Sequence, residues 1–296
     1  MNVILLLVCL LMGGVYFSSL KPVEDRCRSI SELQLFTACF SLLACIGSVI
    51  PPLVTGGSLY IPFSGFCTAV CFGLFFSLCV FTNLKALSEG PLSLTSLIVN
   101  FSLVFPVIHA FIFLREDVTV NRIIGISLFV VCMLIFSNPK LSGEKKMTAA
   151  WFWIAFFSMV CNGILAVMGK VYAMATDNAY ASAFLGLGYF FSVIVSLIIF
   201  AALRRTEKPE GFTFKGFFTP SMYGFILLAG ASNFIMNYIV VLLATRMDGS
   251  IVYPVVMGGG PVVATIAARV VFGEELNPKK ITGILLGVLA IVLLNL

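Results

Sequence analysis

Apolar runs of about twenty residues follow one another along this chain with little between them, and that succession limits the fold more than any single motif. In hydrocarbon no water satisfies backbone N–H and C=O groups, so a crossing segment must close its own hydrogen bonds as a helix. Ten segments qualify, roughly residues 2–20, 31–50, 63–84, 92–114, 122–138, 149–172, 178–203, 220–244, 250–272 and 279–296. Hydrophobic residues make up 60% of the 296 and charged residues 10%, with a mean hydropathy of +1.10. Little chain is left for a soluble domain. The expected partners are the lipid bilayer and a small-molecule substrate, with no nucleic acid, in a monomer or weak homodimer.

The second constraint is internal repetition. Residues 83–125 superimpose without a gap on residues 241–283 at a shift of 158, bringing Ala86 onto Ala244, Glu116 onto Glu274, Asp117 onto Glu275, Arg122 onto Lys280 and Gly125 onto Gly283. Apolar positions coincide by chance in such a chain, so the aligned acids, base and glycine carry the match. The first spans correspond at a shift of 149, which places Gly14 on Gly163 and Lys21 on Lys170; the longer 204–219 loop accounts for the difference. The chain divides into a first repeat, 1–138, a linker, 139–148, and a second repeat, 149–296. Five spans is an odd number, so the second repeat enters the membrane upside down. The expected fold is all-α, ten transmembrane helices in two inverted five-helix repeats. Equivalent residues of inverted repeats stand at opposite ends of a shared axis, the geometry of alternating access.

Charge orients the bundle. Loops after odd spans, with their helix ends, hold 14 of the 18 Lys and Arg, and the other side holds 4. The positive-inside rule puts the odd loops in the cytoplasm and both termini outside. The first run has no basic residue before it and no A-x-A-like site after it, so it reads as an uncleaved span. The basic, then aromatic, segment 204–219 reads as a loop lying at the cytoplasmic lipid surface.

Enzyme chemistry fails on inventory. No HExxH or GxSxG string occurs, and no span carries an acid at its middle. Eight of nine cysteines fall within spans, without a CxxC or Cys/His cluster, so neither a metal site nor a cofactor is expected. The acidic pairs Glu116-Asp117 and Glu274-Glu275 read as charges at the start of the next helix, where the helix dipole favours a carboxylate. His109, the single histidine, is a possible proton relay or a packed, hydrogen-bonded residue.

What remains is basic charge without assigned acidic partners, together with buried amides. Lys21 and Lys170 close the first helix of each repeat and Lys85 closes the third span. Such lysines either snorkel to the interface or meet an anionic substrate at the two gates. Asn100, Asn162, Asn233 and Asn237 sit within apolar stretches, the last two on one helix face beside Tyr238; they are interhelical glue or cavity lining, as Tyr253 is an anchor or a lining residue. Pro106, and the run through Tyr253, Pro254, Gly258, Gly259, Gly260 and Pro261, disfavour a regular helix. Gly13, Gly14 and Gly163 offer points of bending or close approach.

The strings LKALSEGPLS, VFP and LREDVTVNRIIGI of the first half, answered by FGEELNPKKITGILLGVLAIVLL in the second, resemble the drug/metabolite transporter superfamily, in particular its ten-helix EamA-like members. The resemblance implies a secondary transporter whose cavity is lined by spans 1, 3, 4, 6, 8 and 9, with spans 5 and 10 peripheral. It also implies a recurrent lysine at the end of the first helix of each half, here Lys21 and Lys170. Unlike the small four-helix multidrug exporters, this chain has no glutamate in its first span, which argues against proton-for-cation exchange. The expected function is secondary-active or facilitative transport, with export the expected direction, of a small carboxylate-bearing or anionic metabolite such as an amino acid across the plasma (inner) membrane. Alternatives on the same fold are carriage of drugs or organic cations and translocation of a lipid or lipid-linked precursor; a non-transporting receptor is the weakest.

Overall fold

A computed structural model describes residues 2–27, 29–56, 60–90, 95, 98–136, 148–176, 180–207, 212–259, 262–263, 266 and 278–294, with the backbone alone at Lys21, Glu24, Asp25, Met133, Phe136, Glu207, Lys279 and Lys280. Every regular element among these residues is a helix: α1 (Asn2–Arg26), α2 (Ile30–Thr55), α3 (Phe63–Glu89), a 3₁₀ turn (Phe101–Leu103) leading into α4 (Val104–Ile112), α5 (Val120–Phe136), α6 (Ala149–Thr176), α7 (Ala181–Glu207), the short α8 (Phe214–Phe217), α9 (Pro220–Ala244), α10 (Gly249–Tyr253) running into a π turn (Pro254–Gly258), and α11 (Pro278–Leu294). Six of them, α1, α2, α3, α6, α7 and α9, are long and apolar enough to cross a bilayer. The other four expected spans appear as shorter apolar helices, 98–112, 120–132, 249–258 and 281–294.

These sequences form helices because apolar side chains surround them on all sides, which suits a helix that meets protein on one face and lipid on the other. On α1, Ile4, Leu7, Leu11 and Val15 face outward while Leu6, Cys9 and Leu10 are buried. Termini are set by local chemistry. Ser29 accepts from the Glu32 amide at the start of α2, and Thr219 from Met222 at the start of α9. The first expectation needing correction is the end of α2: the helix continues through Pro51 and Pro52 to Thr55 and stops at Gly56, whose φ of 68° suits a residue without Cβ. Pro51 and Pro52 leave the Gly47 and Ser48 carbonyls without their intrahelical donors, a local cost that the last turns of α2 carry.

The helices pair across the two halves of the chain. α1 packs on α9 and α6 on α3; α2 packs on α7, α5 on α11 and α4 on α10. Exchanging each helix for its repeat equivalent leaves this set of neighbours unchanged. Sense is visible in the contacts: Ser41 meets Ser192 while Ser48 lies against Gly186, so α2 and α7 run in opposite directions. α5 and α11 do likewise, with Gly125 against Leu294 and the Cys132 thiol donating to the Gly283 carbonyl at 3.1 Å. Equivalent helices are therefore inverted, and the molecule is an all-α multi-pass membrane protein.

The seam between the halves is built from small residues. A Cβ on Gly73 would collide with the Gly188 carbonyl oxygen and come within 2.7 Å of the Phe191 Cβ. Ser77 and Ser196 hydroxyls lie 2.7 Å apart, fully buried between α3 and α7. Such residues let backbones approach closely, which drives helix association where lipid offers no hydrophobic gain. Around the seam a large aromatic core forms, including Phe36, Phe40, Phe72, Phe76, Phe184 and Tyr189.

Candidate functional site

Two polar clusters interrupt the apolar interior. The first begins at the end of α4, where Arg115 adopts a left-handed φ of 53° and turns the chain so that the Glu116 amide returns to the Ala110 carbonyl at 3.1 Å. A non-glycine residue there costs about 1–3 kcal/mol, and the turn aims Glu116 across the bundle rather than onward to α5. Its Oε1 accepts from the Gly249 amide at 2.7 Å; its Oε2 accepts from the Ser250 amide at 2.9 Å and the Ser250 hydroxyl at 2.7 Å. Lys170 Nζ, nearly two turns before the end of α6 and so not closing that helix as expected, stands 3.7 Å from Oε1 and donates to the Met247 carbonyl at 3.0 Å. Side-chain exposure is 5% for Lys170 and 9% for Glu116, so the pair is withdrawn from water. Arg122 of α5 extends the joint, bonding the Asp248 carboxylate and donating to the Asp117 carbonyl at 2.8 Å. Below it, the Tyr253 hydroxyl donates to the Ala166 carbonyl at 2.8 Å.

Electrostatics fit the geometry. Burial raises the Glu116 pKa, but hydrogen bonds from the Ser250 hydroxyl and amide and from Gly249, together with the Lys170 charge, outweigh it and hold the carboxyl below its ordinary 4.5. Glu116 is thus ionised at neutral pH and caps the start of α10, a helix of the other half.

The second cluster lies deeper. Asn233 and Asn237 share a face of α9, the Asn237 side-chain amide donating to the Asn233 carbonyl at 2.9 Å. The fully buried Tyr189 of α7 donates to Asn233 Oδ1 at 2.7 Å. Asn237 and Tyr238 are half-buried, Tyr238 beside Phe234. Asn162 of α6 donates to the Ser102 hydroxyl at 2.8 Å, tying α6 to the turn before α4, where Asn100 is half-buried.

Several sequence-based expectations change here. Lys170 is not an unpartnered cation: Glu116 neutralises it. Lys85 sits 3.9 Å from Glu89 with both side chains about 40% exposed, an i,i+4 surface pair rather than a gate. Glu116 caps the opposite half's helix, whereas the next helix, α5, receives Thr119, whose hydroxyl accepts from the Arg122 amide. α1 and α6 run unbroken through Gly13, Gly14 and Gly163, which give room to Met236, Val263 and Phe105 respectively, so these glycines serve close approach rather than a break. Pro106 stands in the first turn of α4, where its absent N–H costs little, just after the 3₁₀ turn. The regular helix gives way to a π turn from Pro254 to Gly258, while Gly258 and Gly259 admit Phe129 and Leu10. His109 stacks on Phe113, ring centroids 5.4 Å apart. The Lys21 side chain, Gly260, Pro261 and the Glu274-Glu275 pair lie outside the described residues.

Sequence reading passed over Glu116, Asp248, Gly249 and Ser250 as site residues. The signal was present in the topology: in an inverted repeat the loop after span 4 and the end of span 6 share one membrane face, so an acid in one and a lysine in the other are natural partners.

Comparisons with known proteins agree with this architecture. A solved crystal structure of another protein superposes on 99% of this chain and 95% of its own with a TM-score of 0.77 at 13% identity, a likeness of fold alone. No curated protein matches the sequence. The model of the EamA-like transporter family matches residues 149–296, half of the chain. Taken with the inverted helical pairs and the apolar spans, that match establishes that the chain belongs to the EamA-like transporter family, within the drug/metabolite transporter superfamily.

Proposed function

We propose that this membrane transporter carries a small carboxylate-bearing metabolite of amino-acid size across the plasma membrane by alternating access, its two repeats being residues 1–138 and 149–296. The joint of Glu116, Lys170, Gly249 and Ser250 is then the closed gate at the outer face. The single observation behind this reading is that Lys170, nearly removed from solvent, already holds one carboxylate, that of Glu116. A substrate carboxylate offers the same charge and acceptor geometry and takes its place when the joint opens. The polar groups elsewhere in the bundle interior, Asn162, Asn237, Tyr238 and Tyr253, are uncharged and complement the remainder of a zwitterion by hydrogen bonding. Lys21 occupies the equivalent place in the inverted half and serves the inner gate.

Flux into proteoliposomes separates this reading from its rivals. Amino-acid-sized zwitterions are expected to exchange, and Lys170→Met is expected to abolish that exchange while leaving a folded protein. Carriage of organic cations alone would overturn the charge argument, and response to long-chain ligands alone would favour a lipid translocase. His109→Ala is expected to keep transport; its complete loss with normal folding would make His109 part of the coupling path.

A further inference from the structure

The joint between α4 and α10 balances its own charge without a ligand. Two cations, Lys170 and Arg122, meet two anions, Glu116 and Asp248; Lys170 stands 3.7 Å from Glu116, and Arg122 bonds Asp248. Beside them Arg115 and Asp117 are exposed, where water and salt screen them. His109 of α4 senses the charges of Lys170 and Glu116 and, as a neutral ring at pH 7, adds none. The four partnered charges therefore sum to zero, and the joint closes with no cargo in it.

That balance bears on the return step of a transport cycle. A carrier goes back empty only if its closed gate is stable without substrate. Burying Lys170 alone would be strongly unfavourable, because an ion taken out of water without a counter-ion loses its solvation and recovers nothing. Had the protein supplied no carboxylate there, closure would need one from the substrate, and the carrier could run only by exchanging one cargo for another. Glu116 supplies it, held in place by the Gly249 amide and by the amide and hydroxyl of Ser250. At 3.7 Å the Lys170–Glu116 contact is an ion pair rather than a short hydrogen bond, so Lys170 can part from it when another carboxylate arrives. A zwitterion entering the joint brings no net charge, and the balance holds in both states.

We propose, resting on the carboxylate reading above, that Glu116 is a tethered stand-in for the substrate carboxylate: it lets the empty carrier close its outer gate, and so makes this protein a net transporter rather than an obligate exchanger. Glu116 acts here through Lys170, as a positioning residue.

Proteoliposomes holding the full chain and loaded with a labelled mixture of neutral amino acids test it. Release is followed into amino-acid-free buffer, which reads net efflux, and into buffer holding the same mixture unlabelled, which reads exchange. The native chain is expected to release label at comparable rates in both. Glu116→Gln keeps the shape but not the charge, and is expected to lower the ratio of net efflux to exchange about tenfold or more. A smaller amount of active protein lowers both rates alike and leaves that ratio where it was. Glu116→Asp returns the carboxylate and is expected to move the ratio back towards the native value. Exchange without net efflux in the native chain would overturn the proposal, and needs no variant to fold; so would a native ratio in Glu116→Gln. Both of those results leave the carboxylate reading standing, whereas a native chain that releases no amino acid in either buffer would overturn that reading and this inference with it.

Discussion

At the crossing of α2, α3 and α7, serine hydroxyls meet at 2.7 and 3.2 Å and Gly73 lies against the Gly188 backbone, whereas at the end of α4 the same two halves meet through a carboxylate, a lysine and two backbone amides. The first contact depends on shape and has no alternative partner: its atoms are close because nothing larger than hydrogen stands between them. The second depends on charge and donors, and another carboxylate offers the same. In the alternating-access cycle proposed above, the close-packed seam is the pivot and the exchangeable polar joint the latch.

The sharpest way to break this contrast is Glu116→Ala. It strips two caps from α10 and leaves Lys170 buried without its counter-ion, a class of change that costs about 3–5 kcal/mol. A latch spends that loss on local opening, so amide exchange at Gly249 and Ser250 is expected to accelerate about a hundredfold or more while the seam stays protected. Equal acceleration at both places would make the joint an ordinary part of the core. Next in size, Gly73→Leu is expected to cost about 1–3 kcal/mol by overpacking, and to appear as a lower melting temperature of the whole protein rather than as exchange at α10.

A pH series sharpens the comparison further. The Glu116 carboxyl is held below its ordinary 4.5, so its stabilisation is fully present above that value and is lost as pH falls through the depressed pKa. Exchange at Gly249 and Ser250, corrected for intrinsic rate, is expected to be flat above 4.5 and to rise below it; the seam, which has no titrating group among the residues named here, stays level. Smallest of all, Lys85→Ala is expected to change stability by about 0.3–0.5 kcal/mol, because its pair with Glu89 is exposed and water already screens it. A loss of transport in that variant would restore Lys85 to the site.

What the amino-acid order alone determined is the membrane class, the repeat and its inversion. These follow from local or counting properties: run length against bilayer thickness, the odd number of spans, and matched acids, bases and glycines at fixed shifts. The family, too, was legible, in the strings around residues 84–125 and 272–294. Only the tertiary structure decided which charges are partnered. Glu116 and Lys170 are 54 residues apart in number, and Gly249 lies 133 beyond Glu116, so nothing local joins them. Their meeting depends on the left-handed turn at Arg115, on α4 packing against α10, and on the inversion that brings both chain halves to one face. Charge in sequence is a formal count; whether a charge is free to receive a ligand depends on what the fold places within a few ångströms of it, because desolvation makes a buried ion seek its partner inside the protein.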